Sequence, residues 1–164
     1  MTEHPPAMPA ASPAANPVAR RAAQVTVLFA CVHNSGRSVA AQVLTRHYAG
    51  DAVVVRSGGS APGHGVNPAV AAMLAELGLS VADHVPTVLD ADLVAGADVV
   101  VTMGCGETCP IFPGKRYEDW PVEDPAGQDT DTVRRIVADI DARVRRLLVE
   151  LLPGHSLPPA LLDR

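Results

Sequence analysis

The stretch VTVLFACVHNSGRS, from Val25 to Ser38, decides how this chain folds. Its first part, VTVLFA (25–30), is an unbroken apolar, β-branched run suited to a strand buried on both faces. Its second part, Cys31 to Ser38, is a short loop containing the small pair Ser35-Gly36, and helix-compatible sequence follows from Ser38 to Tyr48. Strand, tight loop and helix in that order gather backbone N–H groups and a helix N-terminus around one point, which makes an oxyanion site. The loop residues Val32, His33, Asn34, Ser35, Gly36, Arg37 and Ser38 are the candidate anion binders. Arg37 can add a planar two-pronged guanidinium. Such surroundings favour a thiolate, the reactive form of cysteine, at Cys31, and the Ser38 hydroxyl can donate to it. The alternative is a small buried thiol at a strand end and a surface arginine, which leaves the strand-loop-helix order without a reason.

Outward from this segment, strands and helices alternate. AVVVRS (52–57) reads as a second strand, and Asn67-Pro68 opens a helix as N-cap and first-turn proline that Gly78 ends. A short helix starts at Asp90, DVVVTM (98–103) is a third strand, and KRYEDW (115–120) is a short fourth. In the last helix Val133, Ile136, Val137, Ile140, Val144, Leu147, Leu148 and Leu151 recur at spacings of three and four, and Pro153-Gly154 closes it. This alternation predicts an α/β domain of three layers, a four-stranded parallel sheet between helices, with ligands bound beyond the carboxyl ends of the strands.

The chain has 164 residues, enough for one domain, spanning 24–152. The proline- and alanine-rich segment 1–23 reads as a disordered extension, and 153–164 as a flexible C-terminal tail. The net charge of −5 provides no basic field for nucleic acid or an anionic membrane, and no apolar run is long enough to span a bilayer. Only three cysteines are present, at 31, 105 and 109. So small and odd a set is a poor disulfide framework, and reduced thiols in the cytoplasm are expected instead.

With those features in place, VLFACVHNSGRS resembles the phosphate loop of low-molecular-weight protein tyrosine phosphatases and of the arsenate reductases built on that fold. The resemblance extends in order through RSGGSAP (56–62), HGVNP (64–68), VVVTMGCGETCPIFPGKRYEDW (99–120) and DPAG (124–127). It implies the low-molecular-weight phosphatase fold, a nucleophile at Cys31, an anion clamp at Arg37 and a general acid at Asp124.

Cys105 and Cys109 stand four apart in GCGETCP. Helical residues at that spacing share a face with Cβ atoms about 5–6 Å apart, wider than the roughly 3.5–4.5 Å of a disulfide. Gly104 and Gly106 loosen the backbone and Pro110 disfavours helical geometry at Cys109, so the segment is expected to rearrange. A zinc knuckle and two inert thiols are the alternatives to a redox pair. Zinc wants four ligands and no histidine lies near in sequence, so no metal is expected.

Phosphate ester hydrolysis uses one cysteine, whereas reducing arsenate to arsenite takes two electrons, which a pair of thiols supplies by becoming a disulfide. The resemblance implies a Cys31-Cys105-Cys109 relay whose final disulfide is reduced by thioredoxin or a similar dithiol protein. It implies no tightly bound cofactor, and phosphate as a competitor. The competing function is a protein tyrosine phosphatase using Cys31, Arg37 and Asp124. Such phosphatases usually carry aromatic residues just after the Asp-Pro, where this chain has Ala126-Gly127. Some of the resembling reductases bind a monovalent cation near the loop. Asn34 and Ser57 match two of its ligands, but Gln42 and Thr87 stand where acids are found, so Asn34 and Ser57 are expected to hold the loop by hydrogen bonds. His84 is expected to be structural, and His33 to face solvent.

Overall fold

The computed structural model describes residues 24–104 and 111–162; the extension 1–23, Cys105, Cys109 and the last two residues lie outside the described residues. Strand β1 (Val25–Cys31) runs parallel between β2 (Val53–Gly59) and β3 (Val99–Thr102), and β4 (Arg116–Asp119) pairs with β3, for a sheet order β2-β1-β3-β4. Successive strand residues point to opposite faces. Val27, Phe29 and Cys31 therefore enter the main core, while Leu28 and Ala30 enter a smaller one with Leu89, Val94, Ala97 and Val100. Helices α1 (Arg37–Ala49), α2 (Pro68–Glu76) and α4 (Thr130–Leu151) supply the main core, and the single-turn α3 (Ala91–Ala95) sits in the smaller one. The three expected layers are present but unequal.

Local chemistry sets the helix starts. The Asn67 side chain accepts from the amides of Ala69 and Val70, Asp90 from Leu93, and Asp129 from Thr132, each satisfying N–H groups that a first turn leaves unpaired. Gly78, at φ +80, follows α2 in the left-handed conformation that glycine adopts without penalty. Helix α4 buries Val133, Ile136, Val137, Ile140, Val144, Leu147 and Leu148. Each of these contributes roughly 1.5–3 kcal/mol of apolar burial.

The C-terminal segment departs from the flexible tail expected after Pro153. Leu157, Leu161 and Leu162 pack against the main core, and the Leu161 amide donates to Tyr48 Oη at 3.0 Å. Among the described residues, no helix is long and apolar enough to cross a membrane.

Candidate active site

The sheet order sends the chain from β1 to one neighbour and later brings β3 to the other, so a crevice opens beyond the carboxyl ends of β1 and β3. Cys31 is the last residue of β1 and is 2% exposed, and Arg37 is the first of α1. The loop between them is shaped by its carbonyls. Those of Cys31, Val32, His33 and Ser35 accept from the amides of Ser60, Ala61, Gly63 and Asn67 at 2.8–3.1 Å, and that of Asn34 meets His84 Nε2 at 3.0 Å. Every carbonyl from Cys31 to Ser35 is thus turned outward. Among the described residues none accepts a hydrogen bond from the amides of His33, Asn34, Ser35 or Gly36, which leaves these donors for an anion.

Asn34 is central to this shape. It is fully buried and has φ +51, a left-handed conformation that asparagine tolerates better than most residues. Its Oδ1 accepts from the Thr87 amide at 2.9 Å, which fixes the amide orientation, and its Nδ2 donates to Ser38 Oγ at 2.8 Å. With that lone pair of Ser38 occupied, the hydroxyl proton is left for Cys31 Sγ at 2.9 Å. The loop is also closely packed: a Cβ on Gly59 would lie 2.6 Å from the Val32 carbonyl oxygen, and one on Gly36 would lie 2.9 Å from Pro125 Cγ.

The Gly36–Pro125 contact brings the Asp-Pro loop onto the anion loop. Asp124 Oδ2 is 3.8 Å from Arg37 Nη2, and Arg37 Nη1 donates to the Val122 carbonyl at 3.4 Å. The Asp124 side chain is half exposed, and its Oδ1 accepts from the Ala126 amide at 3.0 Å, the Asx turn common in such loops. A thiol, a guanidinium, a ring of amides and a carboxyl group therefore face one crevice. That set can bind a tetrahedral oxyanion, attack its central atom and protonate a departing oxygen.

The model of a family described as low molecular weight phosphotyrosine protein phosphatase matches residues 26–155. The chain belongs to this family. It is 36% identical over 126 residues to arsenate reductase 1 of Bacillus cereus, covering 74% of this chain and 92% of that protein, and 33% identical to an arsenate reductase of Brevibacillus brevis with the same coverage. Among solved structures it resembles a thioredoxin-dependent arsenate reductase of Corynebacterium glutamicum, with a TM-score of 0.72 and 42% identity over 80% of this chain. The chain spans 64% of that protein's length. An arsenate reductase in a phosphate-binding state matches with a TM-score of 0.68 and 27% identity, over 78% of this chain and 99% of that one.

Within this phosphatase family fold, Cys31, residues 32–38 and Asp124 come together at one crevice. Cys105 and Cys109 lie outside the described residues. Ser57, expected to shape the loop, instead pairs with Gln42, which accepts from Nη1 and Nη2 of Arg46 at 2.8 Å when its amide is oriented to satisfy both neighbours. Thr87 acts through its backbone amide, its own hydroxyl turning to the Val85 carbonyl. His33 is exposed, whereas His84 holds the loop at Asn34. Trp120 packs near Phe29 in the main core, ring centroids 5.7 Å apart. Sequence reasoning missed the close approaches at Gly36, Gly59 and Gly104, whose only sequence signal is a glycine beside a motif residue.

Proposed function

We propose that the protein reduces arsenate to arsenite for arsenic detoxification. The observation that carries this is the buried Cys31 thiol, hydrogen-bonded to Ser38 at the base of an amide-lined loop, in a chain with two further cysteines and arsenate reductases as relatives. In the proposed course the amides of residues 32–38 and the Arg37 guanidinium hold arsenate oxygens, and the Cys31 thiolate attacks arsenic. One oxygen leaves as water with a proton from Asp124, giving a Cys31–arsenic(V) adduct. The Cys105 thiolate then attacks Cys31 Sγ. The S–As electron pair passes to arsenic, which departs as arsenite, and a Cys31–Cys105 disulfide is left. Attack by Cys109 on Cys105 frees Cys31 and forms Cys105–Cys109, which a thioredoxin-like dithiol protein reduces in turn.

Phosphate is the expected competitor, since it has the same charge and shape and offers sulfur no reducible centre. The thioredoxin dependence named for the Corynebacterium glutamicum relative supports the choice of reductant. A cytoplasmic setting fits a relay that must start from reduced thiols.

The test treats reduced protein with excess arsenate and counts thiols. Two thiols lost per arsenite formed, recovered as an intramolecular disulfide, is the expected result. Cys109→Ser is expected to form arsenite once and then stall in thioredoxin-coupled turnover; full steady-state turnover by that variant would refute the third step. Rapid aryl-phosphate hydrolysis with no thiol loss would make the protein a phosphatase using Cys31, Arg37 and Asp124.

A further inference from the structure

Gly104 stands two residues beyond β3 with φ +89. A Cβ built on it would fall 2.5 Å from Arg37 Nη1, 3.2 Å from Cζ and 3.4 Å from Nη2. The guanidinium therefore lies directly against the bare α-carbon. The Arg37 side chain is 10% exposed, and its polar contacts to Val122 and Asp124 are long, at 3.4 and 3.8 Å. Among the described residues no short hydrogen bond holds it, which leaves the packing on Gly104 to place its charge. Gly78 makes the contrast: its φ is +80, yet no described atom lies within 4 Å of a Cβ there, so only its backbone requires glycine.

We propose, building on the oxyanion chemistry above, that Gly104 is a positioning residue that seats the Arg37 guanidinium. The residue leading into Cys105 and the residue clamping the anion are then in direct contact. A methyl group at 104 collides only with the far end of a flexible side chain, so the guanidinium gives way and the fold survives. Restoring ordinary contact requires a shift of about 1 Å, which weakens the charge-assisted hydrogen bonds the guanidinium makes to an anion, worth roughly 10- to 100-fold in affinity. The contact also runs the other way. An anion drawing on the Arg37 charge changes the surroundings of Gly104, so occupancy of the loop is felt where the chain enters the relay segment.

Binding of inorganic phosphate to the full-length protein tests this without any reduction step, so a protein that binds phosphate but leaves arsenate unreduced refutes the function and not the seat. Gly104→Ala and Gly78→Ala carry the same left-handed backbone strain and are expected to lower Tm by similar amounts. Only Gly104→Ala is expected to weaken phosphate binding, by about 10- to 100-fold. In wild-type protein the Gly104 amide resonance is expected to shift with phosphate along the same saturation curve as the amides of residues 33–38. Phosphate affinity within about twofold of wild type in Gly104→Ala, or an equal loss in Gly78→Ala, would overturn the proposal. If Gly104→Ala does not fold, the wild-type titration decides, and a Gly104 resonance that stays still while the loop saturates overturns it.

Discussion

Replacing Asn34 removes the device that turns the anion loop outward, and its cost can be worked from its contacts. Asn34→Ala leaves the Thr87 amide without its acceptor and Ser38 Oγ without its donor. At about 1 kcal/mol for each hydrogen bond, the pair accounts for roughly 2 kcal/mol. Alanine at φ +51 adds roughly 1–2 kcal/mol for the left-handed backbone. Asn34→Gly loses the same bonds without that strain, but a looser unfolded chain costs it roughly 0.4–1 kcal/mol. The expected losses are therefore about 3–4 kcal/mol for alanine and about 2.5–3 kcal/mol for glycine. Urea unfolding at neutral pH measures both, and phosphate titration of the same samples reports the loop, with weaker binding expected in each variant. A loss under about 1 kcal/mol in either variant would show that these bonds do not hold the loop. Alanine proving more stable than glycine would refute the role of the left-handed backbone.

Two further outcomes follow from the same geometry. Asp124→Asn keeps an oxygen for the Ala126 amide, so the turn survives, while turnover is expected to fall roughly 100-fold or more through loss of the acid. Phosphate is expected to bind at least as tightly to that variant, because a carboxylate beside Arg37 is gone; weaker binding with turnover intact would refute both the acid role and the charge argument. Tyr48→Phe removes a 2.5 Å hydrogen bond to buried Asp141, whose carboxyl burial holds above its ordinary range while this bond pulls it down. A raised carboxyl contributes stability at low pH that is lost as pH rises through its folded value. Without the hydroxyl that value rises further, so the penalty is expected to grow from about 1 kcal/mol in acid to about 2–3 kcal/mol near neutrality, read by unfolding across that range. A penalty independent of pH would refute the coupling. The Tyr48 hydroxyl itself is pushed up to about 12, mainly by burial, so wild-type stability is expected to decline above pH 10 in a way the phenylalanine variant does not show.

Much of the site was legible in the chain because its parts are local. An apolar strand, a loop containing Ser35-Gly36 and a following helix lie within fourteen consecutive positions, so residue types alone bring Cys31, the loop amides and Arg37 to one place. Two helix starts were legible for the same reason, since Asn67 and Asp90 cap amides two or three residues on. Asp141 was less transparent. It stands among the polar positions of the α4 pattern yet is 2% exposed, because its partner Tyr48 lies 93 positions earlier. The C-terminal leucines misled as well: a proline-rich segment after a helix reads as a tail until the main core is there to receive Leu157, Leu161 and Leu162.

By itself, then, the sequence determined the order of strands and helices, the anion loop with its thiol and arginine, and the number of thiols available to it. Those depend on composition and short spacing, which the backbone converts into structure within a turn or two. Only the tertiary structure decided the left-handed turn at Asn34, the hold of His84 and Thr87 on the loop, and the seat of Arg37 on Gly104. The holds on Asn34 and the seat of Arg37 join residues about 50 or more positions apart, and such contacts exist only once the sheet and the helices on it have closed into one core.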